Sequence, residues 1–217
     1  MFAFMKNTET CDLIQIFRQF GIYRNTLSKE HNEFVKNQLQ KDFDTVTKCY
    51  ELQGKTYSGT FREDLHRKEN REAYAKESKL ATVLASFGFD VVLIEEDNRL
   101  SGTKPDAIVN GIVMDFKEID AESEKEASKN RLGSDYRNGM RKNHSEGVVL
   151  LVHNFSEQFV SSNMDFKQTR RGNNGLALFF HENTGTLQLI DMEKIRAAHF
   201  EQPSSRSAPG TKPNPQT

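Results

Sequence analysis

The sequence predicts an α/β fold in which a mixed β-sheet is sandwiched by helices, with an N-terminal helical region in front of it. Three observations carry that reading. Apolar residues recur at steps of three to four up to Gly88 and then switch to strand-like runs, FDVVLIEE, DAIV and IVMDFKEI. The last two runs are joined by Asn110-Gly111, a strong two-residue hairpin signal. A polar segment then leads into GVVLLVHNF, a continuous apolar run of the kind that fills a strand buried on both faces.

Each element follows from its residues. Thr8 can cap a first helix carrying Leu13, Ile14, Phe17 and Phe20, which Gly21 would end. From Ser28 to Leu52, Val35, Leu39, Phe43, Val46 and Tyr50 recur at about helical spacing, which predicts a second amphipathic helix. Residues 61–87 read as one long or two abutting helices, polar at first and then apolar at Leu80, Ala81, Val83, Leu84 and Phe87. Gly88 is placed to stop them. Beyond the first strands a polar helix is expected at 123–142, then the GVVLLV strand, a second hairpin of LALFF and TLQLI across HENTG, and a short closing helix in MEKIRAAHF. Pro203, Pro209, Pro213 and Pro215 crowd a terminal stretch with almost nothing apolar, so 201–217 is expected to be a disordered tail. The organisation is therefore a helical accessory region at 1–60, a main domain at 61–200 and the tail.

Composition bounds the function. At roughly 100 to 200 residues per domain, 217 residues hold one good-sized domain with an accessory region, and sixteen phenylalanines supply a core despite a mean hydropathy of −0.71. Thirty basic against 31 acidic residues leave a net charge of −1, which excludes a protein that coats nucleic acid by charge alone. Any nucleic-acid site must be local. No apolar run approaches the roughly 18 residues needed to span a bilayer, and the first stretch is broken by Lys6, Asn7, Thr8, Glu9, Thr10 and Asp12, so neither a membrane nor a secretion signal is expected. Cys11 and Cys49 stand in no CxxC or Cys/His spacing, which points to buried or half-buried thiols and a reducing, cytoplasmic setting.

The segment KPDAIVNGIVMDFKEI, residues 104–119, holds the chemistry. A two-residue turn at Asn110-Gly111 fixes the register: Val109 opposes Ile112, Ile108 opposes Val113, Ala107 opposes Met114, and Asp106 opposes Asp115. Residues across an antiparallel ladder share a face, and a step of two keeps it, so Lys117 joins the two aspartates while Ile108 and Val113 make the turn end apolar. Like charges directly opposite destabilise a sheet. A divalent cation, Mg²⁺ or Mn²⁺, resolves the conflict, because hard carboxylate oxygens at cross-strand spacing can share it. On these residues alone, a turn-capping Asp106 and an Asp115–Lys117 pair on a wet face stay open as the alternative. A third acid weighs against it: Glu77, Leu80, Ala81 and Leu84 fall at i, i+3, i+4 and i+7, so Glu77 lies on the stripe that must face the sheet.

Glu77 in a helix, then Pro105-Asp106, then Asp115-Phe116-Lys117 after a short hairpin, resembles the E…PD…(D/E)xK signature of the PD-(D/E)xK nuclease superfamily. More narrowly, residues from about 70 to 155 resemble the C-terminal nuclease domains of contact-dependent growth inhibition toxins and related phage or mobile-element proteins; the N-terminal helices lie outside the resemblance. It implies a restriction-endonuclease-like fold at 61–200 and a Mg²⁺- or Mn²⁺-dependent endonuclease acting on DNA or RNA, tRNA included. It further implies Asp106 and Asp115 as metal ligands, Glu77 as a third ligand directly or through water, the Phe116 carbonyl as another, and Lys117 as the residue that positions or activates the attacking water. The implied partners are nucleic acid and an immunity or phage-derived protein. The second acid is Asp115 where glutamate is more frequent, which shortens its reach.

Phosphates need cations. Arg131, Arg137, Arg141 and Lys142 follow the motif and are the candidate substrate-binding residues, with Lys167, Arg170 and Arg171 as a second basic cluster. Asn130 and Tyr136 are further candidates for substrate contact, and His153, in an apolar strand, reads as a core or rim residue. Two other readings stay open: a metal-independent RNase of the small toxin type, and a non-catalytic partner-binding or structural module whose N-terminal helices bind a partner or a second copy.

Overall fold

The computed structural model describes residues 29–40, 43–52, 55–64, 71–94, 104–127, 131–165 and 175–201. The elements in chain order are α1 (Lys29–Leu39), β1 (Phe43–Leu52), β2 (Lys55–Asp64), α2 (Arg71–Ser86), β3 (Asp90–Leu93), β4 (Ala107–Val109), β5 (Ile112–Glu118), α3 (Arg131–Met140), β6 (Gly147–Val152), α4 (Glu157–Asn163), β7 (Leu176–His181), β8 (Thr186–Asp191) and α5 (Met192–Glu201). The chain is α/β. Among the described residues eight strands form one mixed sheet, ordered in space as in sequence. β2–β3, β5–β6 and β6–β7 are parallel and the other neighbours antiparallel.

Helices cover both faces. On one, Leu80, Ala81 and Leu84 of α2 pack against Val91, Ala107, Met114 and Phe116. On the other, Leu132 and Tyr136 of α3, Val160 of α4 and Met192 of α5 pack against Val148, Leu150 and Phe179. Phe34 and Val35 of α1 close the end of that second face over Val92, Ile94, Ile108 and Val113. β6 sits between two parallel neighbours under helices on both sides, so every residue from Gly147 to Val152 is buried, as a two-sided strand requires. Truncating one of these fully buried side chains, Leu84→Ala for instance, costs about 2–5 kcal/mol.

Gly88 ends α2 as its position suggested. Its φ is 88°, Phe89 N donates to Leu84 O at 3.1 Å and Gly88 N to Ala85 O at 2.9 Å, the paired bonds of a Schellman cap. The Asn110-Gly111 turn likewise has φ of 47° and 84°, the two positive values of a type I′ hairpin.

Several expected helical stretches are corrected. The helix expected from Ser28 to Leu52 stops at Leu39, and Phe43–Leu52 is a strand paired with Lys55–Asp64. Thr45, Val46, Thr47 and Tyr50 are β-branched or aromatic, and that preference prevails over an apolar spacing that mimics a helix. Phe61–Asp64, expected in a helix, ends β2, where Phe61 enters the core beside β3. The boundary drawn at 60/61 therefore falls inside a strand, and residues 43–64 belong to the same sheet as the rest. The polar helix expected over 123–142 is confined to Arg131–Met140. Helix α4 was not anticipated, although Ser156 caps it by accepting from Phe159 N at 3.1 Å, with Phe155 against Phe159. The first helix at Thr8–Phe20, Cys11, Asn130, the Lys167/Arg170/Arg171 cluster and the terminal tail from 202 lie outside the described residues. Among the described residues no helix is long and apolar enough to cross a membrane.

Candidate functional site

The hairpin pairs Val109 with Ile112, Ile108 with Val113 and Ala107 with Met114, the expected register. Asp106 N continues the ladder by donating to Met114 O at 3.2 Å. Asn110 locks the turn onto β3: its N donates to Asp90 O and its Oδ1 accepts from Asp90 N, each at 2.8 Å. Strand alternation then sends Asp106, Asp115 and Lys117 to the face shared with Val113, under α3 and beside α1.

Asp115 is completely buried. Lys117 Nζ lies 2.6 Å from its Oδ2, and Lys142 Nζ lies against its Oδ1. Each oxygen of Asp115 is thus met by an ammonium group, and no backbone N–H or hydroxyl donates to either. Asp106 is better satisfied: Oδ2 accepts from Phe116 N at 2.7 Å and Oδ1 from Lys142 Nζ at 2.9 Å. The Phe116 carbonyl accepts from Lys117 Nζ at 3.3 Å, while the Phe116 ring sits in the opposite, α2-facing core.

Desolvation dominates the electrostatics. Burial, followed by the charge of Asp106 and a hydrogen bond to it, pushes the Asp115 carboxyl up to about 6, against the pull of Lys142 and Lys117. Burial alone would pull the Lys142 ammonium down, but the two carboxylates outweigh it and hold that group well above the usual lysine range.

The structure brings together Asp106, Asp115, Phe116, Lys117 and Lys142. Glu77 is buried on α2, whose stripe packs against the other face of the sheet from Asp115. Among the described residues no group of three or more His, Cys, Asp or Glu is spaced to hold a metal. Of the basic candidates, Arg131 pairs with Asp135 at 2.7 Å along α3, Arg137 is half-buried in its last turn and Arg141 is exposed just beyond. Lys142, expected on the phosphates, instead bridges the carboxylate pair. Tyr136 is a core residue whose hydroxyl accepts from Gly175 N at 2.9 Å. His153 is a rim residue between Glu118 and Glu182.

Three residues that sequence reasoning passed over shape the site. Gly139 lets α3 lie directly on it: a Cβ there would stand 2.8 Å from Asp115 Oδ2 and 2.5 Å from Val148 Cγ2. A glycine inside a short helix was the available signal. Glu146 ties the turn after α3 to the hairpin, donating through its N to Val113 O at 2.8 Å and accepting from Val113 N at 3.0 Å. His31 of α1 meets the same carboxylate at 3.2 Å, which anchors that helix beside the site.

A divalent cation fits part of this donor set. Two hard carboxylates share one face, and the oxygens of the buried one meet only ammonium groups, with no backbone or hydroxyl donor. The set is two acids and a carbonyl, and Lys142 already contributes positive charge between the acids.

No protein-family model matches the chain, and no curated protein matches it. Among solved structures the chain is similar to the CdiA-CT/CdiI toxin and immunity complex from Burkholderia pseudomallei, at 17% identity and a TM-score of 0.42, over 58% of this chain and 90% of that one.

Proposed function

We propose that the chain is a Mg²⁺- or Mn²⁺-dependent endonuclease that hydrolyses phosphodiester bonds in DNA or RNA in a cytoplasmic setting. The observation that supports it most is the Asp106–Asp115 pair across the hairpin, with Lys117 two residues on and Asp115 buried with only ammonium groups against its oxygens. A sequence shaped for stability alone has no use for a desolvated carboxylate beside a second one. In this reading Asp106, Asp115 and the Phe116 carbonyl would hold the cation, which when bound would supply an activated water and neutralise phosphate charge. Lys117, whose ammonium lies beside Asp115, would orient an attacking water and meet negative charge developing on the phosphate. Arg137 and Arg141 contact the phosphate backbone on either side. A toxin-like or mobile-element role, and a cognate immunity protein as partner, rest on the sequence resemblance alone.

Incubating the purified chain with plasmid DNA and with total RNA, in Mg²⁺, Mn²⁺ or EDTA, tests the proposal. Cleavage in metal, lost in EDTA and in Asp115→Asn, is the expected result. Intact cleavage by Asp115→Asn would overturn the assignment, and cleavage that survives EDTA would favour a metal-independent RNase. One observation favours the non-catalytic module: Lys142 itself balances the charge of both carboxylates. Calorimetry with Mn²⁺ separates the two, because a pure scaffold binds none whether or not Lys142 is present.

A further inference from the structure

We propose that Lys142 is a built-in counter-ion whose ammonium stands where a divalent cation would sit, so that cation entry requires Lys142 to leave. The inference rests on the metal-dependent reading above. A single Nζ atom reaches one oxygen of each carboxylate, Asp106 Oδ1 at 2.9 Å and Asp115 Oδ1. That is the bridging position that two monodentate carboxylates offer a small hard cation. The other approach is closed. Asp115 Oδ2 faces Lys117 and the backbone of Gly139, where not even a Cβ fits.

Lys142 is built to move. Its backbone is tied at both ends, Lys142 N to Gly139 O and Ser145 N to Lys142 O, each at 3.1 Å, so the turn need not shift. Its side chain follows helix α3 rather than lying within it and is 18% exposed, which leaves a flexible four-carbon stem an exit to water. Lys117 differs: it touches Asp115 and the Phe116 carbonyl but makes no contact with Asp106, so it is compatible with a cation between the two acids. An ammonium and a divalent cation cannot share the same two oxygens without strong repulsion. Once displaced, the ammonium is held by its short tether near the site, where it can meet a phosphate. The phosphate-binding role expected from the sequence and the bridge seen in the structure then become two positions of one side chain.

The test is calorimetric titration of the full chain with Mn²⁺ alone, comparing wild type with Lys142→Met, which keeps the stem and removes the charge. Lys142→Met should bind Mn²⁺ at least tenfold more tightly and gain more in melting temperature from it. Equal or weaker binding by Lys142→Met, with wild type binding, overturns the counter-ion role and leaves the metal reading intact. Failure of both folded proteins to bind overturns the metal reading, and this inference with it. A second measurement needs no variant: amine-reactive labelling of wild type, read by mass spectrometry, should rise several-fold at Lys142 when Mn²⁺ is saturating. Unchanged labelling in the Mn²⁺-bound protein overturns the proposal even where Lys142→Met fails to fold.

Discussion

On the α3 side of β5, Asp115 is sealed from water between Lys117 and Lys142. On the α2 side of the same strand, Glu118 is half-buried between Lys76 at 3.7 Å and His153 at 3.4 Å, and His153 in turn meets Glu182, which Lys79 contacts at 2.6 Å. Two carboxylates and two lysines make up each cluster, the second with a histidine added, yet Asp115 and Glu182 are shifted in opposite directions. A hydrogen bond from Lys79 is the main cause holding Glu182 below its usual range; burial opposes it, and the Lys79 charge and His153 together carry the balance downward. Burial pushes Asp115 upward despite two neighbouring ammonium groups. Access to water, more than the number of cationic partners, decides whether a carboxylate is comfortable as an anion. The rim cluster is the ordinary arrangement and the buried one carries a cost, which is why the buried one is the functional candidate.

Four measurements probe that contrast, beginning with the largest effect. Asp115→Ala should lower Mg²⁺-dependent cleavage by about 10³-fold or more, whereas Glu118→Ala should stay within about twofold; comparable losses on nucleic-acid gels would erase the distinction. Gly139→Ala puts a methyl group into Asp115 and Val148 and should destabilise the fold by about 1–3 kcal/mol in denaturant titration. Stability unchanged by that methyl would mean α3 does not seal the buried pair.

The pH dependence should differ in sign. The folded pKa of Asp115, about 6, lies above the ordinary 3.8, so the native state keeps a proton that the unfolded chain has released. Its contribution is fully present below about 3.8 and is lost as pH rises through about 6. Melting curves of Asp115→Asn should therefore match wild type near pH 4 and equal or exceed it at pH 7.5. Glu182, lowered from 4.5, contributes above that value and loses its contribution in acid, so Glu182→Gln should weaken the protein at neutral pH but not in acid. Parallel pH profiles for the two variants would contradict the contrast. The smallest effect belongs to Lys79→Ala, at most about 1 kcal/mol and shrinking in high salt; a larger, salt-insensitive loss by chemical denaturation would show that the rim cluster is not solvated.

The parts of this picture readable from sequence are those fixed by local geometry. Asn110-Gly111 dictates a two-residue turn, and the facing of Ala107 and Met114 follows from counting outward. Gly88 stops α2 for an equally local reason. What escaped depends on contacts between distant segments. The exception is Phe43–Leu52, whose partner β2 is its neighbour across residues 53–54: Val35, Leu39, Val46 and Tyr50 step like a helix, but the β-branched and aromatic residues favour a strand paired with β2. The bridge by Lys142 is set by how α3 and its following turn settle on β5 and β6, which no spacing in the chain encodes. The same holds for Glu77: its place on the apolar stripe was readable, but which sheet face that stripe covers was not.

The hairpin that aligns the acids also orders events in time. Asp106 and Asp115 are brought opposite each other by closing a short loop, a step on the scale of about 1–10 μs. Lys142 comes from 36 residues beyond Asp106 and arrives only when the crossover from β5 through α3 to β6 is complete. Until then both carboxylates face water, where their proximity is cheap, and the energetic conflict enters the chain late, after its topology is committed. Gly111→Ala, which strains a residue at φ 84°, should accordingly slow folding, while Lys142→Met should leave the folding rate alone and speed unfolding in stopped-flow measurements.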